Sequence, residues 1–250
     1  DYSITNAYYT LSIGIMLISI VTINRNNAGG LFQTVKSVFS QNYAAIEYII
    51  IDGASADNSL ELIMPYRAKI NHVISEPDNG IYDAMNKGLH KATGTYIIFL
   101  NSGDIFCSDD VVRNVVRLKA TEDLIYGNLF FSDKIATERK QPAYLTARHM
   151  LRDTIWHPAT FYRTELLKAC NGYNIDYTIA ADYELLLRLI YKHNATTRYI
   201  NMPVAVFDVT GISGKPQMQQ TLFKQRHQAQ RNNMPLYYWL PYQLYSTLRK

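Results

Sequence analysis

Ile46-Glu47-Tyr48-Ile49-Ile50-Ile51-Asp52-Gly53, residues 46–53, reads as a buried strand that ends on an acid and a glycine. A nearly unbroken run of isoleucines suits a strand covered on both faces, and Asp-Gly is strong turn chemistry. On one side lies Gly29 to Gln41, with Leu31, Val35, Val38 and Phe39 at helical spacing. On the other lies Asp57 to Tyr66, a short helix with Asp57 as its expected N-cap. Working outward, Leu17–Ile23 is a first apolar strand and His72–Ser75 a third. Ile81 to His90 is a helix closed by Ala92-Thr93-Gly94, and Thr95–Leu100 is a fourth strand. This β-α-β-α-β-α-β order predicts an α/β fold with a mainly parallel, doubly wound sheet.

Beyond the fourth strand the pattern loosens. Residues 109–119 read as a helix. Residues 124–161 are irregular, with short strands around 124–131 and helical spacing at Ala147–Leu151. Asp182–His193 is a clear helix, with Leu185, Leu186, Leu189 and Ile190 on one side. Thr196–Ile200 and Ala205–Val209 read as two strands, and residues 217–232 and 235–248 as two terminal helices. The expected organisation is an N-terminal extension over 1–15, one domain over 16–210, and a basic, aromatic helical tail over 211–250.

Several classes drop out. The continuous apolar part of the N-terminus, Ile13 to Ile23, is about half of the ~20 residues a membrane-spanning helix needs. No basic stretch precedes it, which argues against a secretory signal. Cys107 and Cys170 are isolated, so neither a Cys-rich zinc motif nor a disulfide framework is expected, and a cytoplasmic location is the default. The net charge is +4, yet Val209 to Lys250 has no acid and carries +6, leaving about −2 on the rest. A basic tail with Leu236-Tyr237-Tyr238-Trp239-Leu240 suits an anionic membrane surface on the inner face of the cell membrane better than nucleic acid. The same helix could instead pack on the domain or form a homodimer.

In open α/β sheets, ligands sit beyond the carboxyl ends of the strands. Here those ends are polar: Asn24-Arg25, Asp52-Gly53, Glu76-Pro77-Asp78-Asn79-Gly80 and Asn101-Ser102-Gly103-Asp104. So many carboxylates on one edge call for hydrogen bonds or a cation. No Gly-x-Gly-x-x-Gly loop follows strand one and no Walker loop is present, which disfavours dehydrogenases and ATPases. What remains is a nucleoside diphosphate held through a divalent metal, Mn²⁺ or Mg²⁺.

Ile18 to Asn24, then Gln41-Asn42-Tyr43, then Glu47 to Ser55 resemble the opening of family 2 glycosyltransferases. So does Ser75 to Gly88, followed by Ala92 to Tyr96. The resemblance spans about residues 17–210 and is closest to the bacterial branch that builds polysaccharides such as colanic acid, capsule and O-antigen. It implies a GT-A (Rossmann-like) fold, a nucleoside-diphosphate sugar donor, expected to be a UDP-sugar, and inversion at the anomeric carbon. By position match it implies that Thr22, Asp52 and Asp83 line the nucleoside pocket, joined by Asn24. Asn79, Asp83 and Lys87 fall in the segment that closes over the nucleotide. Asp104 matches the metal-binding end of the family's Asp-x-Asp motif, although Ser102-Gly103 brings no second carboxylate. Asp182 matches the catalytic base, with Ala181 where an acid often stands. His157-Pro158-Ala159-Thr160-Phe161 resembles the stretch under the acceptor pocket, and the acceptor is expected to be a saccharide or lipid-linked. Glu184 is expected to be a salt-bridged helix residue. Two other readings fit the same sheet: a sugar-phosphate nucleotidyltransferase, and a non-catalytic nucleotide-sugar-binding protein.

Overall fold

The structure, a computed structural model, describes residues 16–134, 137–210 and 216–248; the expectation for residues 1–15 falls outside them. Strand β1 (Ile18–Asn24) is buried along its whole length. It pairs in parallel with β2 (Ile46–Asp52) on one side and β4 (Tyr96–Phe99) on the other. Strand β3 (His72–Ser75) extends the parallel sheet beyond β2. Helices α1 (Ala28–Phe39), α2 (Ser59–Ile63) and α3 (Ile81–Lys91) make the crossovers.

Two cores result, because strand side chains alternate between faces. Ile18, Ile20, Ile50 and Ile98 pack with Leu31, Val35 and Val38 of α1. Val21, Ile49, Ile51, Ile97 and Phe99 pack with Met85 and Leu89 of α3 and with leucines of α7 (Ala181–Lys192). The α3 helix lies close on β1: a Cβ at Gly88 would come within 2.4 Å of Val21 Cγ1. That close approach sets where the start of α3 reaches the edge of the sheet.

The irregular region holds what the pattern did not reveal. Strand β6 (Leu124–Phe131) runs in the sheet beyond β8 (Thr160–Arg163), which lies antiparallel between β4 and β6. A short β7 (Glu138–Arg139) pairs with β6. Helices α4 (Val111–Arg117), α5 (Ala147–Arg152) and α6 (Thr164–Ala169) fill the connections, and β5 (Ile105–Phe106) forms an edge. The two strands expected over 196–209 are one strand, β9 (Thr197–Phe207), parallel to β6 and antiparallel to β5. Pro203 lies between the two expected runs. The structure places it opposite Asn128, where the register with β6 shifts, a position at which a missing N–H is tolerated.

Two local expectations are corrected. The helix after β2 ends at Ile63 and continues as a 3-10 turn over Met64–Lys69, with Pro65 in its first turn. The N-cap of that helix is Asn58, and Asp57, expected there, serves otherwise. Its Oδ1 accepts from Ser59 N at 3.1 Å, while its Oδ2 accepts from Ala28 N at 3.0 Å, tying the segment to the start of α1.

The terminal helices α8 (Gln219–Asn233) and α9 (Leu236–Leu248) lie where the pattern placed them. Trp239 packs on the core, but Leu236, Tyr237, Tyr238 and Leu240 are exposed, Tyr237 by 70%. Among the described residues no helix is long and apolar enough to cross a membrane.

Candidate active site

A cleft of about 350 Å³ opens at the carboxyl ends of the parallel strands, the position this sheet type favours. Its walls come from the end of β1, the turn before α3, the turn after β4, the 3-10 turn His157–Ala159, the start of α7 and the end of β9.

One wall is held by Asn24 and Asp52. Asn24 Nδ2 donates to Asp52 Oδ1 at 2.8 Å and to Ser55 Oγ at 3.1 Å. Ser102 Oγ donates back to Asn24 Oδ1 at 2.8 Å. Asp52 is fully buried and also accepts from Ser55 N at 2.9 Å, from Ser55 Oγ, and from Ser75 Oγ at 2.7 Å. Burial pushes its carboxyl up, but the donors from Ser55, Ser75 and Asn24 outweigh that and hold it below the usual value. Asn24 lines the cleft, whereas Asp52 lies behind it. Thr22 is fully buried, 3.1 Å from the Tyr48 hydroxyl, and is not part of the cleft wall.

The turn before α3 divides into two parts. Asn79, Asp83 and Lys87 form a clasp outside the cleft lining. Asp83 Oδ2 accepts from Asn79 N at 2.9 Å, and Lys87 reaches Glu76 at 2.9 Å, Asp83 at 3.8 Å and Pro77 O at 2.7 Å. Asp78 is the carboxylate of this segment that faces the cleft. It accepts from Gly80 N at 2.9 Å and pairs with Arg25 at 3.7 Å.

The opposite wall carries Asp104, and here the expectation of a single carboxylate is corrected. Asp208, just past β9, brings a second. Its backbone N–H donates to Asp104 Oδ1 at 2.8 Å. A Cβ at Gly103 would meet Asp208 Oδ2 at 2.4 Å, so the Asp208 carboxylate lies against this turn, and the φ of +105° at Gly103 favours glycine. Asp104 is buried. Desolvation pushes its carboxyl up to about 7; N–H groups of Asp208 and Asn101 pull it down, and the Asp208 charge pushes it up again. Beside it, Asn101 Nδ2 lies 3.1 Å from His157 Nε2. Asn101 Oδ1 is buried with no hydrogen-bond partner among the described residues. Burial drives the His157 imidazole down to about 4, so it is neutral at pH 7.

A desolvated carboxylate, a second carboxylate and an orphaned amide oxygen form an all-oxygen set that suits a hard divalent cation. No group of three His, Cys, Asp or Glu side chains is assembled among the described residues. A cation here would complete its shell from ligand oxygens and water.

Asp182, the second residue of α7, faces the cleft beyond Tyr82. It accepts from Tyr183 N at 2.8 Å and from the Tyr82 hydroxyl at 3.4 Å. Burial raises its carboxyl; Tyr183 N–H, the Arg226 charge and the Tyr82 hydroxyl act the other way. Ala181, beside it, is fully buried. Glu184 turns inward to Arg188 at 3.0 Å and to Asn233 at 3.2 Å, a structural ion pair.

A sequence profile described as "Glycosyl transferase family 2" matches residues 19–200. An uncharacterized glycosyltransferase of Mycobacterium tuberculosis is 35% identical over 203 residues, covering 78% of this chain and 76% of the relative. A PGL/p-HBAD biosynthesis glycosyltransferase of Mycobacterium bovis is 28% identical over 201 residues, covering 78% of each chain. Among solved structures, S. aureus TarS 1-349 in complex with UDP-GlcNAc superposes with a TM-score of 0.70 at 16% identity, over 88% of this chain and 67% of that one. A Pyrobaculum calidifontis mannosyltransferase in complex with GDP-Man and Mn²⁺ superposes with a TM-score of 0.57 at 17% identity, over 75% and 55%. The chain belongs to glycosyltransferase family 2. It has the mixed α/β architecture, with a mostly parallel sheet, of GT-A glycosyltransferases such as TarS. Family membership favours glycosyl transfer over the nucleotidyl transfer that the same kind of sheet also permits.

Asp208 escaped sequence reasoning although a signal for it existed. The rule that singled out the other strand ends applies equally to the acid at the end of Ala205–Val209.

Proposed function

We propose that the chain is an inverting glycosyltransferase that moves a sugar from a UDP-sugar to a saccharide or lipid-linked acceptor in cell-surface polysaccharide synthesis. The observation that carries this is the placing of Asp104 with Asp208 on one wall of a single cleft and Asp182 on another. In the reaction, Asp182 takes the proton of an acceptor hydroxyl as that oxygen bonds to the anomeric carbon. The bond from that carbon to the diphosphate oxygen breaks, and the diphosphate leaves with the electron pair. Asp104 and Asp208 would hold a divalent cation, Mn²⁺ or Mg²⁺, which would supply charge neutralisation for the diphosphate. Asn24, set by Asp52, and Asp78 border the nucleotide side. His157, beside Asn101 on the Asp104 wall, offers a neutral polar contact. The raised carboxyl of Asp182 makes it a stronger base than a surface aspartate.

UDP as the nucleotide is supported by the TarS complexes with UDP and UDP-GlcNAc. Cell-surface glycan synthesis is supported by the M. bovis relative named for PGL/p-HBAD biosynthesis. The deciding experiment is UDP release from UDP-GlcNAc, UDP-glucose and UDP-galactose with Mn²⁺, in wild type and Asp182→Asn. The variant is expected to lose turnover by roughly 10²–10⁴-fold while UDP still raises its Tm. Retained turnover removes Asp182 as the base.

The tail's exposed Leu236, Tyr237, Tyr238 and Leu240, together with its cations, fit peripheral docking on an anionic membrane from the cytoplasmic side. Co-sedimentation with phosphatidylglycerol vesicles at low salt is expected. Equal binding to neutral vesicles, or none to either, rejects it.

A further inference from the structure

Asp182 lines the cleft, yet both of its hydrogen bonds fall on one oxygen. Oδ1 accepts from Tyr183 N at 2.8 Å and from the Tyr82 hydroxyl at 3.4 Å. Oδ2 accepts from no group among the described residues, and the residue is partly exposed in the cleft. A carboxylate can accept several bonds on its two oxygens. Here the protein engages one oxygen and leaves the other to a ligand or water. An acceptor hydroxyl must come within hydrogen-bond reach of its base, and Oδ2 is the oxygen open to it.

Tyr183 N belongs to the same turn as Asp182, whereas Tyr82 comes from α3, 100 residues earlier. The place of Tyr82 is well fixed. Its ring stacks on Tyr173, with centroids 5.4 Å apart and planes at 26°, and Phe99 of β4 meets the Tyr173 ring edge-on at 5.3 Å. The Tyr173 hydroxyl is buried with no hydrogen-bond partner among the described residues, so it is the ring that engages Tyr82. Asn86, one turn beyond Tyr82 on α3, grips the Tyr173 backbone: its Nδ2 donates to Tyr173 O at 2.8 Å, and Tyr173 N donates to its Oδ1 at 2.8 Å. Thus α3 holds the loop before α7, and that loop holds the Tyr82 ring. A site residue whose rotamer is locked by packing in this way can orient its neighbour. Tyr82, Tyr162 of β8 and Tyr173 are the phenols that act with the Asp182 carboxyl; burial raises all three, so they stay neutral. The charge of Arg226, from α8, also acts on it.

We propose that Tyr82 is a positioning residue for the base: its hydroxyl holds Oδ1 of Asp182 so that Oδ2 is presented to the acceptor hydroxyl. The proposal rests on Asp182 being the base. The acceptor proton moves to Oδ2 as the acceptor oxygen bonds to the anomeric carbon and the diphosphate leaves with the electron pair of the broken bond. Tyr82 keeps its own proton throughout. A hydroxyl that donates to a carboxylate also favours its ionised form, so removing that donor makes Asp182 protonate at higher pH.

The test uses Tyr82→Phe in the full chain, which keeps the ring on Tyr173 and removes the hydroxyl. In a carbon-13 NMR pH titration of the Asp182 carboxyl, its signal assigned by loss in Asp182→Asn, the midpoint is expected to move upward. Replacing Tyr82 by 3-fluorotyrosine, a stronger donor, should move it downward, and decides the matter alone should Tyr82→Phe fail to fold. In UDP release from UDP-GlcNAc, UDP-glucose or UDP-galactose with Mn²⁺, Tyr82→Phe should lower kcat roughly 3- to 10-fold at unchanged KM for the UDP-sugar. In the Asp182→Asn background the same change should cost nothing further. A midpoint that stays in place overturns the proposal. So does a raised KM at unchanged kcat, or an equal loss in the Asp182→Asn background, since Tyr82 would then act on substrate and not through Asp182. Because the titration needs no turnover, its failure is distinct from that of the base assignment, which UDP release by Asp182→Asn decides.

Discussion

Asp52 and Asp104 are both buried carboxylates at the edge of the same sheet, and their surroundings are opposite. Asp52 ends β2 amid hydroxyl, amide and backbone donors from Asn24, Ser55 and Ser75. Its charge is satisfied by the protein, and its carboxyl is held low. Asp104 receives two backbone N–H groups, at 2.8 and 3.2 Å, faces the second acid Asp208, and is pushed up to about 7. An unfavourable buried charge persists where function uses it. The Asp52 corner is thus a finished piece of structure that holds Asn24 in place, whereas the Asp104 corner has few protein donors and is the one proposed to take a cation and a diphosphate.

Substitution separates the two corners. The largest effect is expected for Asp104→Asn. Turnover measured as UDP release should fall by at least ~10²-fold, the scale of losing transition-state charge stabilisation, while urea unfolding shifts by less than about 1 kcal/mol. A large loss of stability would make Asp104 a structural acid like Asp52. Asp52→Asn is expected to do the reverse. It leaves donors on Asn24, Ser55 and Ser75 short of an acceptor and should cost about 2–4 kcal/mol in urea unfolding. Unchanged stability would break the contrast.

The smallest effect concerns His157, beside the Asp104 corner. Its folded pKa of about 4 lies below its unfolded value. The unfolded chain therefore takes up a proton first as pH falls. The associated stability is fully present above about pH 6.5 and is lost as pH drops toward about 4. Between about pH 7 and about pH 5 wild type should lose roughly 1–2 kcal/mol more than His157→Gln in urea unfolding. Parallel pH profiles would show that the ring is not held neutral by burial.

The legible part of the molecule is the part built from local repetition. Strands β1 to β4 with α1 and α3 could be read from apolar runs, turn acids and helical spacing; Asn24 and the Asp104 stretch stand out because they follow strands, Asp182 stands out through its likeness to the family's motif, and all three line the cleft. The clasp of Asn79, Asp83 and Lys87 and the cleft-facing Asp78 sit in one turn, and spacing alone cannot say which acid faces in. Strand β8 escaped because its four residues lie antiparallel between β4 and β6, a pairing chosen by distant partners. Helix α8 was found as a helix, but its polar face gave no hint of what it grips.

What the sequence determined by itself is a parallel sheet whose strands end in acids, since side-chain alternation and turn chemistry are local. What only the tertiary structure decided is the company those acids keep. Ile105 pairs with Val206 across the β5–β9 edge, which carries Asp208 to Asp104. Packing of α8 on α7 carries Arg226 over the ring of Tyr183, the residue after Asp182. Both juxtapositions depend on long-range pairing and burial, and burial is what turns an ordinary carboxylate into one with a raised pKa.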